Sequence, residues 1–222
     1  NNKYCINILQ YFLIIKSTIN KMNSFSVSNA MDHKIYQYKI ILLGDIAVGK
    51  TCVLSRFMNN TFTNIYKCNV GVDYRSKTVT FDNKIGYELN IWDTCGEERF
   101  RSVSRQYYKD ANAVLLIFDL TNRESFDGLQ RWFTDIQNFS SQNIEISVLG
   151  NKSDETDKRS VNIQEINELL KGKENCMYFE VSAKTGNNIM NVFETLVKKL
   201  NSKEGNEQFV KIDRSTIIED NK

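Results

Sequence analysis

Gly44-Asp45-Ile46-Ala47-Val48-Gly49-Lys50-Thr51 fits the spacing G-x-x-x-x-G-K-[ST], in which each fixed position has a physical task. Gly44 and Gly49 let the backbone curl around an anion, and Asp45, Ile46, Ala47 and Val48 present their N–H groups to it. Lys50 is placed to reach the outer phosphates of a nucleotide, and the Thr51 hydroxyl is a hard oxygen for Mg²⁺; the binding set runs on into Cys52. Farther on, Trp92-Asp93-Thr94-Cys95-Gly96 offers a second Mg²⁺ group, the Asp93 carboxylate, acting through a water. Gly96 offers an N–H that can approach a terminal phosphate with no Cβ in the way. Asn151-Lys152-Ser153-Asp154 then supplies base-reading groups. Guanine presents N1–H and N2–H₂ side by side, and the Asp154 carboxylate can accept both, whereas adenine offers no such pair. The Asn151 amide can brace the pocket, the Lys152 stem can cover the base, and Ser182-Ala183-Lys184 adds an Ala183 N–H directed at guanine O6. Together these residues predict a site for GTP or GDP with Mg²⁺. Taken singly the signals are weaker, since N-K-x-D is a short match and an Asp at a strand end is often a turn residue.

The elements around these segments have the order such a site needs. Tyr38 to Leu43 is an apolar run ending at Gly44, as expected of a strand buried on both faces, and Lys50 to Met58 reads as a helix. Val72, Tyr74 and Ser76, then Val79 and Phe81, predict a half-buried strand. Asp82-Asn83 is its turn, and Ile85, Tyr87, Leu89 and Ile91 alternate along an antiparallel partner. Ala113 to Phe118, Ile144 to Leu149 and Met177 to Val181 are further strands. Phe126, Leu129, Trp132, Phe133 and Ile136 have helical spacing, and 161–171 and Ile189 to Leu200 read as helices. Alternating strands and helices imply a doubly wound α/β fold with ligands at the strand C-termini.

The 222 residues suit one domain with tails: an N-terminal extension over 1–35, the nucleotide domain over 36–200 and a mobile tail over 201–222. With 29 basic and 27 acidic residues, no charge field points to nucleic acid. The five cysteines are scattered without a C-x-x-C pair, which argues against a disulfide framework or zinc site and favours a reducing, cytoplasmic compartment. Tyr4 to Ile15 is apolar but only twelve residues long, against the about 20 that span a bilayer. The chain begins at Asn1, with Met22 and Met31 upstream of the first strand. The expectation is that residues 1–21, or as many as 1–30, are not part of the working protein; a weak membrane-surface anchor is the other reading.

These segments resemble the Ras superfamily of small GTPases, and the Rab family within it. Val70-Gly71-Val72-Asp73-Tyr74 looks like the exit of the first Rab switch. Trp92 through Arg105 with Tyr107-Tyr108 looks like the second, continued by Phe118-Asp119-Leu120-Thr121 and Glu124-Ser125-Phe126. The resemblance implies the P-loop small-GTPase fold, a six-stranded, mainly parallel sheet with one antiparallel edge strand, flanked by helices. It also implies a GDP/GTP cycle in vesicle traffic, on the cytosolic face of endomembranes. Phe62 should then stack edge-on against the base and Tyr66 should lie over the phosphates. The chain would act as a monomer, meeting an exchange factor, a GTPase-activating protein and effectors through Val70, Val72, Trp92 and Tyr107; simple packing beneath the switches is the other reading of Trp92.

Departures from the family pattern cluster near the chemistry. Asn69 stands where the family has a Thr whose hydroxyl goes to Mg²⁺; its amide oxygen is a differently placed ligand. Glu97 stands at the family's water-positioning Gln, and an ionised Glu accepts hydrogen bonds without donating. Slower hydrolysis is expected, although a carboxylate can also orient water or take its proton. With Lys50 and Gly96, Glu97 completes the expected catalytic set. Ile46 is branched where relatives carry a small residue, and either hinders an approaching arginine or is tolerated. Cys95, where Ala is common, is nearly isosteric. No cysteine follows Cys176, so a prenylation site is not seen; either the C-terminus is incomplete or the protein is not prenylated. The alternative to a working GTPase is a GTP-bound scaffold that recruits effectors with little turnover. An ATPase with a similar loop is the third option, and Asp154 argues against it.

Overall fold

The structure, a computed structural model, describes residues 35–63, 72–81, 85–94, 96 and 105–203. The expectations for Tyr66, Asn69, Val70, Cys95 and Glu97, and for the segments 1–34 and 204–222, lie outside the described residues.

Six strands form one sheet: β1 (Ile35–Leu43), β2 (Val72–Thr80), β3 (Gly86–Thr94), β4 (Ala113–Asp119), β5 (Glu145–Asn151) and β6 (Cys176–Glu180). Their order is β2-β3-β1-β4-β5-β6. All neighbours pair in parallel except β2, which lies antiparallel on β3 at one edge. The described helices are α1 (Lys50–Asn59), α2 (Arg123–Asp127), α3 (Leu129–Phe139), α4 (Ile163–Leu170) and α5 (Ile189–Lys203). The first strand thus begins at Ile35, and the last helix runs three residues beyond Leu200.

Strand alternation divides the core between the two faces of the sheet. Ile40 and Leu42 of β1, with Leu115 and Ile117 of β4, meet α1 and α5 on one face, where Phe57 and Phe193 stack at 3.5 Å between ring centroids. Ile41 and Leu43, with Val114, Leu116 and Phe118, meet α3 on the other. β1, β4 and β5 lie inside the sheet between two helical layers, which is why β4 and β5 are buried throughout and β4 reads as an apolar run up to Asp119.

Two sequence expectations change in detail. The apolar positions Phe126 to Ile136 are not one helix: α2 ends at Asp127 and α3 begins at Leu129, with Gly128 between. β2 is not half-buried along its length; only Val79 is buried, because an edge strand has one neighbour and little covering it. Parallel register brings Leu42 beside Asp93 and Asp119 beside Asn151. The C-terminal ends of β1, β3, β4 and β5 therefore meet along one rim, where the chemistry-bearing residues were expected.

Candidate nucleotide-binding site

Beyond Leu43 the chain must reverse sharply, and three residues with positive φ do it. Gly44 has φ 136° and Gly49 φ 97°, both in the region that side chains avoid, and Ala47 adopts φ 63°. Space also demands the glycines: a Cβ on Gly44 would lie 2.1 Å from the Ile117 carbonyl oxygen, and one on Gly49 2.4 Å from Asn151 Nδ2. Lys50 opens α1 and keeps 7% of its surface exposed. Its ammonium spans the loop interior, donating to the Gly44 carbonyl at 2.8 Å and the Asp45 carbonyl at 2.7 Å. A cation held at the centre of a ring of backbone groups is a receptor for phosphate oxygens.

One residue on, the Thr51 hydroxyl donates to Asp93 Oδ2 at 2.5 Å, and Asp93 is fully buried. A hydroxyl and a carboxylate side by side are a pair of hard oxygens suited to Mg²⁺, which takes few protein ligands and fills the rest with water and phosphate. Gly96 closes this side. A Cβ there would fall 2.5 Å from Lys50 Nζ and 2.6 Å from the Asp45 carbonyl, so only glycine lets this backbone approach the loop. These residues fit a Mg²⁺–nucleotide.

The base-reading loops are joined to the phosphate loop through Asn151. Its Nδ2 donates to the Val48 carbonyl at 2.9 Å, and its Oδ1 accepts the Ala183 N–H at 3.1 Å. The Ala183 N–H, expected to face guanine O6, is thus turned to Asn151 here. Asp154 Oδ1 accepts from the Ser182 hydroxyl at 2.6 Å, and Lys184 Nζ stands 3.5 Å from Oδ2. Burial pushes the Asp154 carboxyl up, but the Ser182 bond, a backbone bond and the Lys184 charge outweigh it and hold the pKa below its usual value. The group is therefore ionised at neutral pH and can accept two donors. Lys152, with φ 65°, lays its ammonium 2.5 Å from Asp119 Oδ2, which fixes the stem expected to cover the base. Cys52 is half-buried; burial, and then the Asp93 charge, push its thiol up, so it stays protonated.

Composition and spacing did not expose three supports. Asp119 anchors Lys152 while its Oδ1 receives the Thr121 N–H at 2.9 Å and hydroxyl at 2.7 Å. The Asp45 side chain turns away from the loop interior toward α3: Trp132 Nε1 donates to Oδ1 at 2.8 Å, and Arg131 stands 3.6 Å from Oδ2. Only the backbone of Asp45 is left for a nucleotide. A buried indole N–H needs an acceptor, which sets Trp132 apart from its purely apolar neighbours at the same helical spacing. The third support is Arg56, whose guanidinium bonds the Ala183 carbonyl at 2.9 Å.

Around the site, Ile46 is 49% exposed at the loop tip, and Phe62 is partly buried against the core cluster that holds α1. Trp92 and Tyr107 are both partly buried on the opposite cluster. Trp92 keeps an outward face: Tyr74, 52% exposed, lies 5.0 Å away between ring centroids, and Lys39 Nζ sits 5.2 Å above its ring. Val72, at the head of β2, is half-buried.

Residues 39–202 match the profile of the Ras family. The chain is 40% identical over 187 residues to Ras-related protein Rab-8A of Bos taurus, covering 80% of this chain and 89% of that protein. It is 43% identical over 164 residues to Ras-related protein Rab-26 of Rattus norvegicus (73% and 63%) and 41% identical over 170 residues to Ras-related protein Rab-37 of Homo sapiens (76% and 75%). With its phosphate loop, its Thr51–Asp93 pair and its Asn151–Asp154 segment on one sheet rim, the chain belongs to the Ras family of small GTPases, as a Rab-related member.

Proposed function

We propose that the rim built by Lys50, Thr51, Asp93, Asn151 and Asp154 is the guanine-nucleotide site of a Rab-type switch. As a Rab-related small GTPase the protein acts in vesicle transport, binds GTP and GDP with Mg²⁺, and hydrolyses GTP to GDP and phosphate. The observation that carries the site assignment is the Asn151 side chain, which bonds Val48 of the phosphate loop and Ala183 of the base loop at once. One residue thereby sets the distance between the two ends of a nucleotide.

Lys50 and the loop amides would bind and orient the phosphates and offset the charge that develops on them. Thr51 and Asp93 would hold Mg²⁺, which when bound neutralises charge on the outer phosphates. Asp154 selects guanine, while Lys152, held by Asp119, covers the base. Glu97 would stand beside the attacking water as an acceptor only, making hydrolysis slower than in a Gln-bearing relative. Family membership does not favour the GTP-bound scaffold with little turnover. Small GTPases of this family meet exchange factors, activating proteins and effectors. Here Val70, Val72, Trp92 and Tyr107 are the surface we assign to them, supported by the Tyr74–Trp92 pair on the β2–β3 edge. We infer a monomer working at the cytosolic face of endomembranes. Among the described residues, no helix is long and apolar enough to cross a membrane.

Nucleotide competition tests the assignment. The protein should retain GDP against excess ADP, and Asp154→Asn, which replaces an acceptor by a donor, should lose GDP and gain xanthosine diphosphate, whose base carries a carbonyl at that position. Equal binding of ADP and GDP by the wild type would remove Asp154 from its role.

A further inference from the structure

The C-terminal half of α1 carries a side chain that grips the base loop from behind. Arg56 Nε donates to the Ala183 carbonyl at 2.9 Å and Nη2 to the Lys184 carbonyl at 2.6 Å. Nη1 donates to the Asn60 carbonyl at 2.9 Å and to Asn60 Oδ1 at 3.1 Å. The bonds to Asn60 close the end of α1 and are local. Those to Ala183 and Lys184 cross 127 and 128 residues of sequence, and closing a helix does not require them.

What they fix follows from peptide geometry. A trans peptide points its N–H opposite its C=O. Holding the Ala183 carbonyl on the Arg56 side turns the Lys184 N–H to the opposite side of the loop. Holding the Lys184 carbonyl likewise directs the Thr185 N–H, which donates to Ser182 Oγ at 3.0 Å. That hydroxyl in turn donates to Asp154 Oδ1 at 2.6 Å. A line of defined bonds therefore runs from Arg56 through the Lys184–Thr185 peptide plane and the Ser182 hydroxyl to the base-reading carboxylate. Gly186, at φ 86°, lets the loop close over the stem; a Cβ there would sit 3.4 Å from Arg56 Cδ. A planar fork with donors in three directions is needed, and a lysine ammonium cannot span the two carbonyls and Asn60 together.

We propose that Arg56 is a positioning residue for guanine recognition, setting the Ala183–Thr185 backbone and, through Ser182, the Asp154 carboxylate. The proposal rests on the reading of Asp154 as the guanine acceptor. It predicts a loss in selectivity as well as in affinity. GDP offers Asp154 two donors, whereas inosine diphosphate lacks the 2-amino group and offers one. A misplaced carboxylate loses the second bond first, so the preference for GDP over inosine diphosphate should shrink.

The test uses the full chain loaded with Mg²⁺ and a fluorescent GDP or inosine diphosphate analogue, and follows release into excess unlabelled GDP. Arg56→Ala should release GDP about tenfold faster, as expected for losing bonds from a charged donor, and inosine diphosphate by a smaller factor. Arg56→Lys should fall between the two and decides the matter by itself if the alanine variant does not fold. Release of both nucleotides at the wild-type rate, or acceleration of both by one common factor, would overturn the proposal, the second result marking a merely structural role. A wild-type protein that binds ADP as well as GDP would instead overturn the reading of Asp154, and this proposal with it.

Discussion

Replacing Asn151 by alanine tests the coupling between the phosphate and base ends of the site. Asn151 keeps 2% of its surface exposed, and both of its bonds, 2.9 Å to the Val48 carbonyl and 3.1 Å from the Ala183 N–H, are buried. The substitution leaves an acceptor and a donor without partners, at about 1–3 kcal/mol each. Water entering the space vacated by the amide offsets part of this, so the expected loss is about 3 kcal/mol. For a domain of this size that is a fall in Tm of about 6–12 °C. If half of the loss falls on the distance between the two loops, GDP release accelerates about tenfold. Asn151→Asp keeps the acceptor for Ala183 but faces the Val48 carbonyl with a carboxylate oxygen, and should be no better than alanine. The assay is thermal unfolding at one fixed concentration of Mg²⁺ and GDP, beside the release rate of a fluorescent GDP analogue. An Asn151→Ala protein that melts within about 1 °C of wild type and releases GDP at the same rate would refute the reasoning.

Trp132→Phe removes the 2.8 Å bond to Asp45 and leaves Arg131 at 3.6 Å from that carboxylate. A bond to a charged group predicts a loss of about 2 kcal/mol by urea unfolding, with faster nucleotide release; stability equal to wild type would show that the contact does not hold the loop. The pH dependence of base selection follows from Asp154, whose pKa is lowered from 3.8. A depressed carboxyl contributes fully above its ordinary value and is lost as pH falls through the lower folded one. The preference for GDP over ADP, measured by equilibrium titration of both, should therefore stay level from pH 7 to about 5, since the two ligands share the same diphosphate. A drop with a midpoint near pH 6 would place another group in control.

Much of the site was legible because its residues answer to local rules. The glycine spacing of the phosphate loop depends on φ values that only a few residues tolerate, and Gly44 and Gly49 adopt them. Strict alternation in Tyr87, Leu89 and Ile91 marked the strand that delivers Asp93. What stayed hidden depends on partners distant in sequence. Asp45 carried no sign that it would face α3, because its partner Trp132 lies 87 residues away and looked like a core residue at helical spacing. Gly128 sat inside that same spacing, and nothing local showed that the helix would break there. The glycine itself answers to a tertiary contact: a Cβ at Gly128 would lie 2.6 Å from Asp45 Oδ2, so its absence lets the junction of α2 and α3 approach the phosphate loop. In β2 the local pattern misleads in the other direction: alternation in Val72, Tyr74 and Ser76 promises a buried face that this edge strand does not have.

The most direct test of a Mg²⁺-dependent GTP switch is single-turnover hydrolysis of preloaded [γ-³²P]GTP, with and without Mg²⁺, beside Glu97→Gln. The account predicts Mg²⁺-dependent phosphate release at a rate on the order of 10⁻⁴ s⁻¹, raised by the Gln variant, which can donate toward the phosphate as well as accept from water. Tight retention of GTP with no phosphate released in Mg²⁺ by either protein would contradict it.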